Sequence, residues 1–375
     1  MTIPLLNITL TKTIMNRKYN FGAGPAMLPE PILREAQEEL LNWQNSGMSI
    51  MEIGHRTPEF IHLMEQAQQG LRDLLNIPAN YHVLLLGGAA RTHFGMIPLN
   101  FLNESEQAGY LVTGLWSSLA YQEACHLKTA YCVASSEDTG FTYVPADNEW
   151  QVRAETRYLY FTSNETINGV RFPKEPKGIN VPLVADMTSS LLSEPIDVQN
   201  YALIFAGAQK NIANAGLTVV IVSDQFLDTI GDKTIPIMMD YRTHTKEQSM
   251  YATPPTFNCY LALKMFDWLK QQGGIDAIYA MNRKKAAKLY QYIDSSSFYY
   301  CKVVEEARSL MNVCFNLRNP NLEELFINRA QQRGLLALKG HRAVGGLRAS
   351  IYNAMPMAGI DSLIEFMCDF AEEYQ

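Results

Sequence analysis

Short apolar runs that are continuous rather than alternating constrain this chain more than any other feature. They fall at residues 83–86, 110–112, 158–161, 181–185, 201–205 and 217–222. A strand with one wet face alternates polar and apolar residues, whereas a strand covered on both faces has no polar side. These runs therefore imply a mainly parallel sheet between two helix layers, an α/β fold. The segments between them supply helices. Ile32, Ala36 and Leu40 recur at a spacing of four behind Pro31, which predicts a helix over 31–43. Thr57 and Pro58 open another, running to about residue 75, with Phe60, Met64, Ala67, Leu71 and Leu74 as its buried stripe.

The pattern changes near residue 270. A Gln-Gln-Gly-Gly stretch at 271–274 separates helical segments at 259–270 and 275–293. A strand over 311–317 and helices over 321–333 and 360–373 follow. We expect a large domain over 19–270 and a smaller α+β C-terminal domain over 271–375. Residues 1–18 read as a poorly ordered extension, with Met15 as a second possible start.

Composition narrows the partners. Thirty-one basic residues against 38 acidic ones give a net charge of −7, which argues against nucleic acid. No apolar run reaches the roughly 20 residues of a membrane span, so no membrane partner is expected. The first residues lack the basic start and cleavage site of a secretory signal. The six cysteines are scattered without paired spacing, and read as reduced, mostly core thiols of a cytoplasmic protein with no metal site.

The chemistry-bearing residues follow the apolar runs. Lys210 lies in Gly-Ala-Gln-Lys-Asn just after the run 201–205, and Asp186 ends the run 181–185. In an open α/β sheet, ligands bind where strands end. An amine and a carboxylate at neighbouring strand ends suit pyridoxal 5'-phosphate: the amine forms a Schiff base with the aldehyde, and the carboxylate keeps the pyridine nitrogen protonated. Gly-Gly-Ala-Ala-Arg-Thr at 87–92 opens a helix and can hold a phosphate through free amides, with Arg91 or Thr92 near. Trp116 follows another strand and can stack on a flat ring, and Thr166 sits in a polar turn after the run 158–161. Singly, each has a plainer reading as a loop lysine, a strand–helix turn, a core tryptophan or an ordinary turn. Together, four strand ends present what a phosphorylated pyridine needs. A second cationic set comprises His55, Arg56 and the glycine-rich stretch 339–348, which holds His341, Arg342 and Arg348 without an acidic partner. Arginine's planar fork suits carboxylate and phosphate oxygens.

These residues stand in segments that resemble the phosphoserine aminotransferase family, class-V aminotransferases of pyridoxal-phosphate fold type I. The matching segments are Phe-Gly-Ala-Gly-Pro-Ala-Met-Leu-Pro at 21–29, Ser-Ile-Met-Glu-Ile-Gly-His-Arg at 49–56, Asn-Glu-Thr-Ile-Asn-Gly at 164–169, Ala-Gly-Ala-Gln-Lys-Asn at 206–211, Thr-Pro-Pro-Thr-Phe at 253–257 and 339–356 throughout. The resemblance implies that Lys210 is the Schiff-base lysine and proton shuttle, that Asp186 pairs with the pyridine nitrogen, and that Trp116 stacks on the ring. Thr166 would meet the ring hydroxyl. Ala90, Arg91 and Gln209 would hold the cofactor phosphate, with Ala252 and Thr253 reaching it from the neighbouring subunit of a homodimer. Arg348 would clamp the substrate α-carboxylate. His55 and Arg56, with His341 and Arg342 of the other subunit, would receive the substrate's phosphate or the γ-carboxylate of L-glutamate. The implied reaction is ping-pong transamination of 3-phosphohydroxypyruvate with L-glutamate, giving O-phospho-L-serine and 2-oxoglutarate. A related vitamin B6 precursor is a second possible substrate. The chain departs from the family pattern at Ala252, where many members carry Asn, at Thr92-His93 in place of Gly-Gln, and at Ala213-Asn214 in place of Gly-Pro. Rival readings are another enzyme of the same fold or a catalytically silent homologue.

Overall fold

The computed structural model describes residues 17–177 and 179–374. The expectation for 1–18 therefore falls outside the described residues except for Arg17 and Lys18. Seven strands form the main sheet: β1 (Tyr81–Gly87), β2 (Gln107–Val112), β3 (Thr129–Ser135), β4 (Thr156–Thr162), β5 (Leu183–Asp186), β6 (Leu203–Gly207) and β7 (Leu217–Ser223). Their order is β1-β7-β6-β5-β4-β2-β3. The ladders from β3 across to β6 are parallel, and β7 alone runs antiparallel, to both β1 and β6. Each of the six apolar runs falls on one of these strands, although 181–185 and 201–205 begin two residues before theirs. Strand β3 was not expected; it is an edge strand whose mixed exposure leaves no continuous apolar run.

Both sheet faces are covered. One apolar cluster joins Leu85, Phe161, Ala206 and Val219 to α1 (Glu30–Glu39), α2 (Pro58–Leu75) and α5 (Thr256–Gln271). The opposite face packs Leu84, Tyr160, Phe205 and Val220 against α3 (Thr92–Phe101) and α4 (Leu115–Leu127). Helix α2 has the expected bounds, and Thr57 Oγ1 accepts the Phe60 amide at 3.4 Å. Leu74 is only partly covered, and Leu75 completes the stripe. Helix α1 stops at Glu39, short of the expected residue 43. Gln44 and Asn45 turn into the left-handed region and the Trp43 amide bonds Met48 O at 2.9 Å, which buries Trp43 and leaves Leu41 in solvent.

A further cluster gathers the C-terminal segments. It contains the later turns of α6 (Gly274–Ser295), a three-stranded antiparallel sheet of β8 (Tyr299–Tyr300), β9 (Asn312–Leu317) and β10 (Leu347–Ser350), then α7 (Glu323–Gln332) and α8 (Met357–Tyr374). The chain start joins it: Tyr19–Asn20 pairs in parallel with Leu335–Leu336, and Phe21 is fully buried there. Among the cysteines only Cys259 is buried, so the core reading of these thiols fails for Cys125 and Cys132, both exposed. Cys132 sits at an outward position of the edge strand β3.

Register brings the site together. Thr162 pairs with Asp186 and Asp186 with Phe205, so three parallel strands end side by side. Strand β7 returns against β6 as a hairpin, Thr218 opposite Gly207, with the Ala208 amide bonding Leu217 O at 2.9 Å. Its other edge pairs Leu217 with Gly87, and the Gly88 amide bonds Gly216 O at 3.0 Å. Residues 87–90 and 207–210 consequently share one rim.

Candidate active site

At that rim lies a cavity of about 200 Å³ lined by Ala90, Arg91, Trp116, Thr166, Asp186, Gln209 and Lys210. All seven were singled out from sequence. Lys210, on the β6–β7 hairpin, is buried and its ammonium donates to Thr166 Oγ1. Burial pulls its pKa down to about 8; Asp186 and Glu165 pull the other way, and Arg348 adds to the lowering. Asp186 at the end of β5 accepts the Thr188 amide at 2.8 Å. Burial raises its pKa, while bonds from Thr188 and the nearby Lys210 charge oppose the rise. An amine that loses its proton readily thus stands close to a carboxylate, where water is largely excluded.

The turn 87–91 approaches the hairpin tightly. A Cβ at Gly207 would lie 3.2 Å from the Ala90 Cβ, a tight approach between the two loops, and 2.6 Å from Gln209 Oε1, the free end of a flexible side chain. Helix α3 begins next to Ala90 and Arg91, and its N-terminal dipole end faces the cavity that these two residues line. The Arg91 guanidinium lies 5.0 Å from the centroid of the Trp116 ring.

Two buried polar atoms lining this cavity lack a hydrogen-bond partner among the described residues, Trp116 Nε1 and Thr162 Oγ1, and Arg348 Nε, beside Thr166, is a third. Buried polar atoms are normally satisfied, so clustered exceptions mark where a polar ligand belongs. Together with the amine, the carboxylate, the indole and the helix terminus, they fit pyridoxal 5'-phosphate in chemistry and size.

Arg348 on β10 comes from the C-terminal cluster. Its Nη1 donates to Thr166 O at 3.4 Å, and it lines a second cavity of about 280 Å³ together with Asn168, Lys302 and Cys314. Ala252 and Thr253 are exposed and stand apart from Lys210. They line a cavity of about 140 Å³ with Thr92 and His93, touching the first site only through Ala89. There His93 is buried, its Nδ1 2.6 Å from the Tyr241 hydroxyl, and burial drives its pKa down to about 3. His55, Arg56, His341 and Arg342 line none of these three cavities. His55 Nε2 is buried without a partner among the described residues, and Arg56 and Arg342 are exposed.

Sequence reasoning missed several residues. Thr162, Asn164, Thr188 and Ser189 also line the Lys210 cavity. Glu165 is fully buried and accepts the amides of Trp116 at 3.0 Å and Ser117 at 2.8 Å. Its neighbours in sequence were noted for Thr166; the available signal was a helix start at Gly114 with no side chain to cap it.

Comparison with known proteins agrees with this geometry. Residues 18–363 match the family model Aminotransferase class-V. A protein named phosphoserine aminotransferase from Legionella pneumophila subsp. pneumophila strain Philadelphia 1 is 62% identical over 358 residues, covering 96% of this chain and 99% of its own length. A solved phosphoserine aminotransferase from Bacillus circulans subsp. alkalophilus superposes with a TM-score of 0.93 at 42% identity, over 96% of this chain and 99% of that one. A phosphoserine aminotransferase from Trichomonas vaginalis, solved with pyridoxal phosphate bound, gives a TM-score of 0.90 at 39% identity, over 94% and 100%.

Proposed function

Because the chain belongs to the class-V aminotransferase family, in its phosphoserine aminotransferase branch, we propose that it transfers the amino group of L-glutamate to 3-phosphohydroxypyruvate, yielding O-phospho-L-serine and 2-oxoglutarate. The observation that carries this reading is the buried Lys210 amine, with its pKa near 8, in one cavity with Asp186 and Trp116. When bound, pyridoxal 5'-phosphate supplies an aldehyde that takes up the amino group and a protonated ring that draws electrons from the substrate Cα.

The chain's own residues do the rest. Lys210 would hold the aldehyde until substrate arrives, then as a neutral amine accept the Cα proton and return it two bonds away, on the far side of the transferred nitrogen. Asp186 beside it would hold the proton on the ring nitrogen. Trp116 fixes the plane of the ring, and Thr166 orients both the amine and the ring hydroxyl. Ala90, Arg91 and Gln209 hold the cofactor phosphate, aided by the α3 terminus, with Ala252 and Thr253 donated from a second subunit. Arg348 grips the α-carboxylate through its planar fork. His55 and Arg56, with His341 and Arg342 of a second subunit, serve the substrate's distal anion; none of the four lines the Lys210 cavity within one chain.

The homodimer is supported by the exposed apolar run Ile237, Met238 and Met239 close to Ala252 and Thr253. A cytoplasmic location is in keeping with six free thiols, and no helix of the described residues is long and apolar enough to cross a membrane. We take 19–270 and 271–375 as the large and small domains, with the segment around Phe21 docking on the latter.

Purified protein loaded with pyridoxal 5'-phosphate should absorb in the visible and turn over both substrates by ping-pong kinetics. Lys210→Ala should lose the band and the turnover, and near-normal transamination by that variant would refute the assignment. Arg56→Ala should raise KM for 3-phosphohydroxypyruvate about tenfold or more while sparing the α-carboxylate contact. Supplying 3-hydroxy-2-oxo-4-phosphobutanoate in the same assay tests the vitamin B6 branch.

A further inference from the structure

Helix α4 begins in an unusual way. Its cap position is Gly114, which has no side chain to accept the first amides, yet all three are taken. Leu115 N–H donates to Asn168 Oδ1 at 3.2 Å, Trp116 N–H to Glu165 Oε2 at 3.0 Å, and Ser117 N–H to Glu165 Oε1 at 2.8 Å. All three acceptors come from the turn after β4, some 50 residues away along the chain, whose middle residue Thr166 receives the Lys210 ammonium. Gly114 is there because a Cβ would sit 2.3 Å from Glu165 Cδ.

We infer that Glu165 is a positioning residue for the cofactor ring: its carboxylate fixes the first turn of α4, and thereby the plane of Trp116, before any cofactor binds. The inference rests on the functional reading above. The negative charge is favoured at a helix N-terminus, where both oxygens meet amides directly. Ionisation is nonetheless finely balanced, because burial pushes the Glu165 pKa up to about 7 against the pull of Ser117 and Trp116, with Asp186 adding to the rise. The other titratable groups facing it are Lys210 and Tyr160. Only the ionised form offers acceptors to both amides without conflict, so the clamp tightens as pH rises through about 7.

The test uses whole protein titrated with pyridoxal 5'-phosphate. Glu165→Gln keeps the volume but presents an NH2 to one of the two amides. It should weaken cofactor binding about tenfold and reduce the visible circular dichroism of the bound ring, which reports its orientation. In a Trp116→Phe background the same change should have a smaller effect, because the two residues act in series. Full additivity of the two substitutions would overturn the inference, as would unchanged affinity and dichroism in Glu165→Gln. A wild-type protein that shows no visible band would instead remove the functional reading itself. Hydrogen exchange on cofactor-free wild type needs no variant. The Trp116 and Ser117 amides should already be protected near pH 8, and protection that arises only after cofactor addition would sink the proposal.

Discussion

Lys210 must be neutral to accept a proton and yet must stay close to Asp186, whose charge favours the ammonium. Burial decides the contest by bringing the lysine to about 8. A free lysine is a nucleophile only near pH 10, so a group at 8 becomes reactive about two units earlier. Cofactor-free protein should therefore react with pyridoxal 5'-phosphate at a rate that rises with pH and levels off above about 8. Stopped-flow absorbance between pH 6 and 10 measures this, and a midpoint near 10 would contradict the burial argument. Lys210 and Asp186 were legible because each follows a continuous apolar run. Glu165 was not, because its role depends on amides that arrive from a different part of the chain. His55, Arg56, His341 and Arg342 carry their meaning in a resemblance and not in the geometry of one chain.

The elements were readable wherever a single physical cause dominates. Helix α2 has its cap, its proline at the first turn and its apolar stripe in register, and its bounds follow. Thr57→Ala removes the cap bond to Phe60. At 3.4 Å that bond is long, so the loss should fall at the lower part of the usual range, about 0.5–1 kcal/mol by urea titration. Strand β3 escaped notice because an edge position tolerates Cys132 and Thr129 in solvent, which erases the apolar run that marks the inner strands. The end of α1 was misplaced for a different reason. Spacing alone continues the helix, but burying Trp43 requires the chain to turn at Gln44.

Across the whole molecule, the turn that holds Lys210's partner is bolted to the C-terminal sheet by buried amides. Asn164 donates to Asn312 Oδ1 at 2.8 Å, and Asn312 donates at 3.0 Å to both Ser350 Oγ and Tyr352 Oη. The Tyr352 hydroxyl in turn donates to Ala23 O at 2.8 Å. Asn312→Ala would remove three of these bonds in a site closed to water, although Asn164 would keep Ser189 Oγ and Tyr352 would keep Ala23 O. It should cost about 2–3 kcal/mol in chemical denaturation and raise KM for L-glutamate by freeing Arg348, two residues before Ser350. A change in KM without loss of stability would mean that the network guides the arginine but does not hold the parts together. No sequence pattern announced this connection, since asparagine in a loop and asparagine in a strand look equally unremarkable until folding joins them.

The reversed direction of β7 also has a mechanical consequence. A parallel successor to β6 would need a long crossover, and a lysine on such a segment could drift with it. The hairpin instead holds Lys210 three residues past Gly207, in a connection whose two ends are tied together by ladder bonds. Whatever travel the amine makes between the two carbons on either side of the transferred nitrogen must then come from rotation about its own four methylenes, over a stationary main chain.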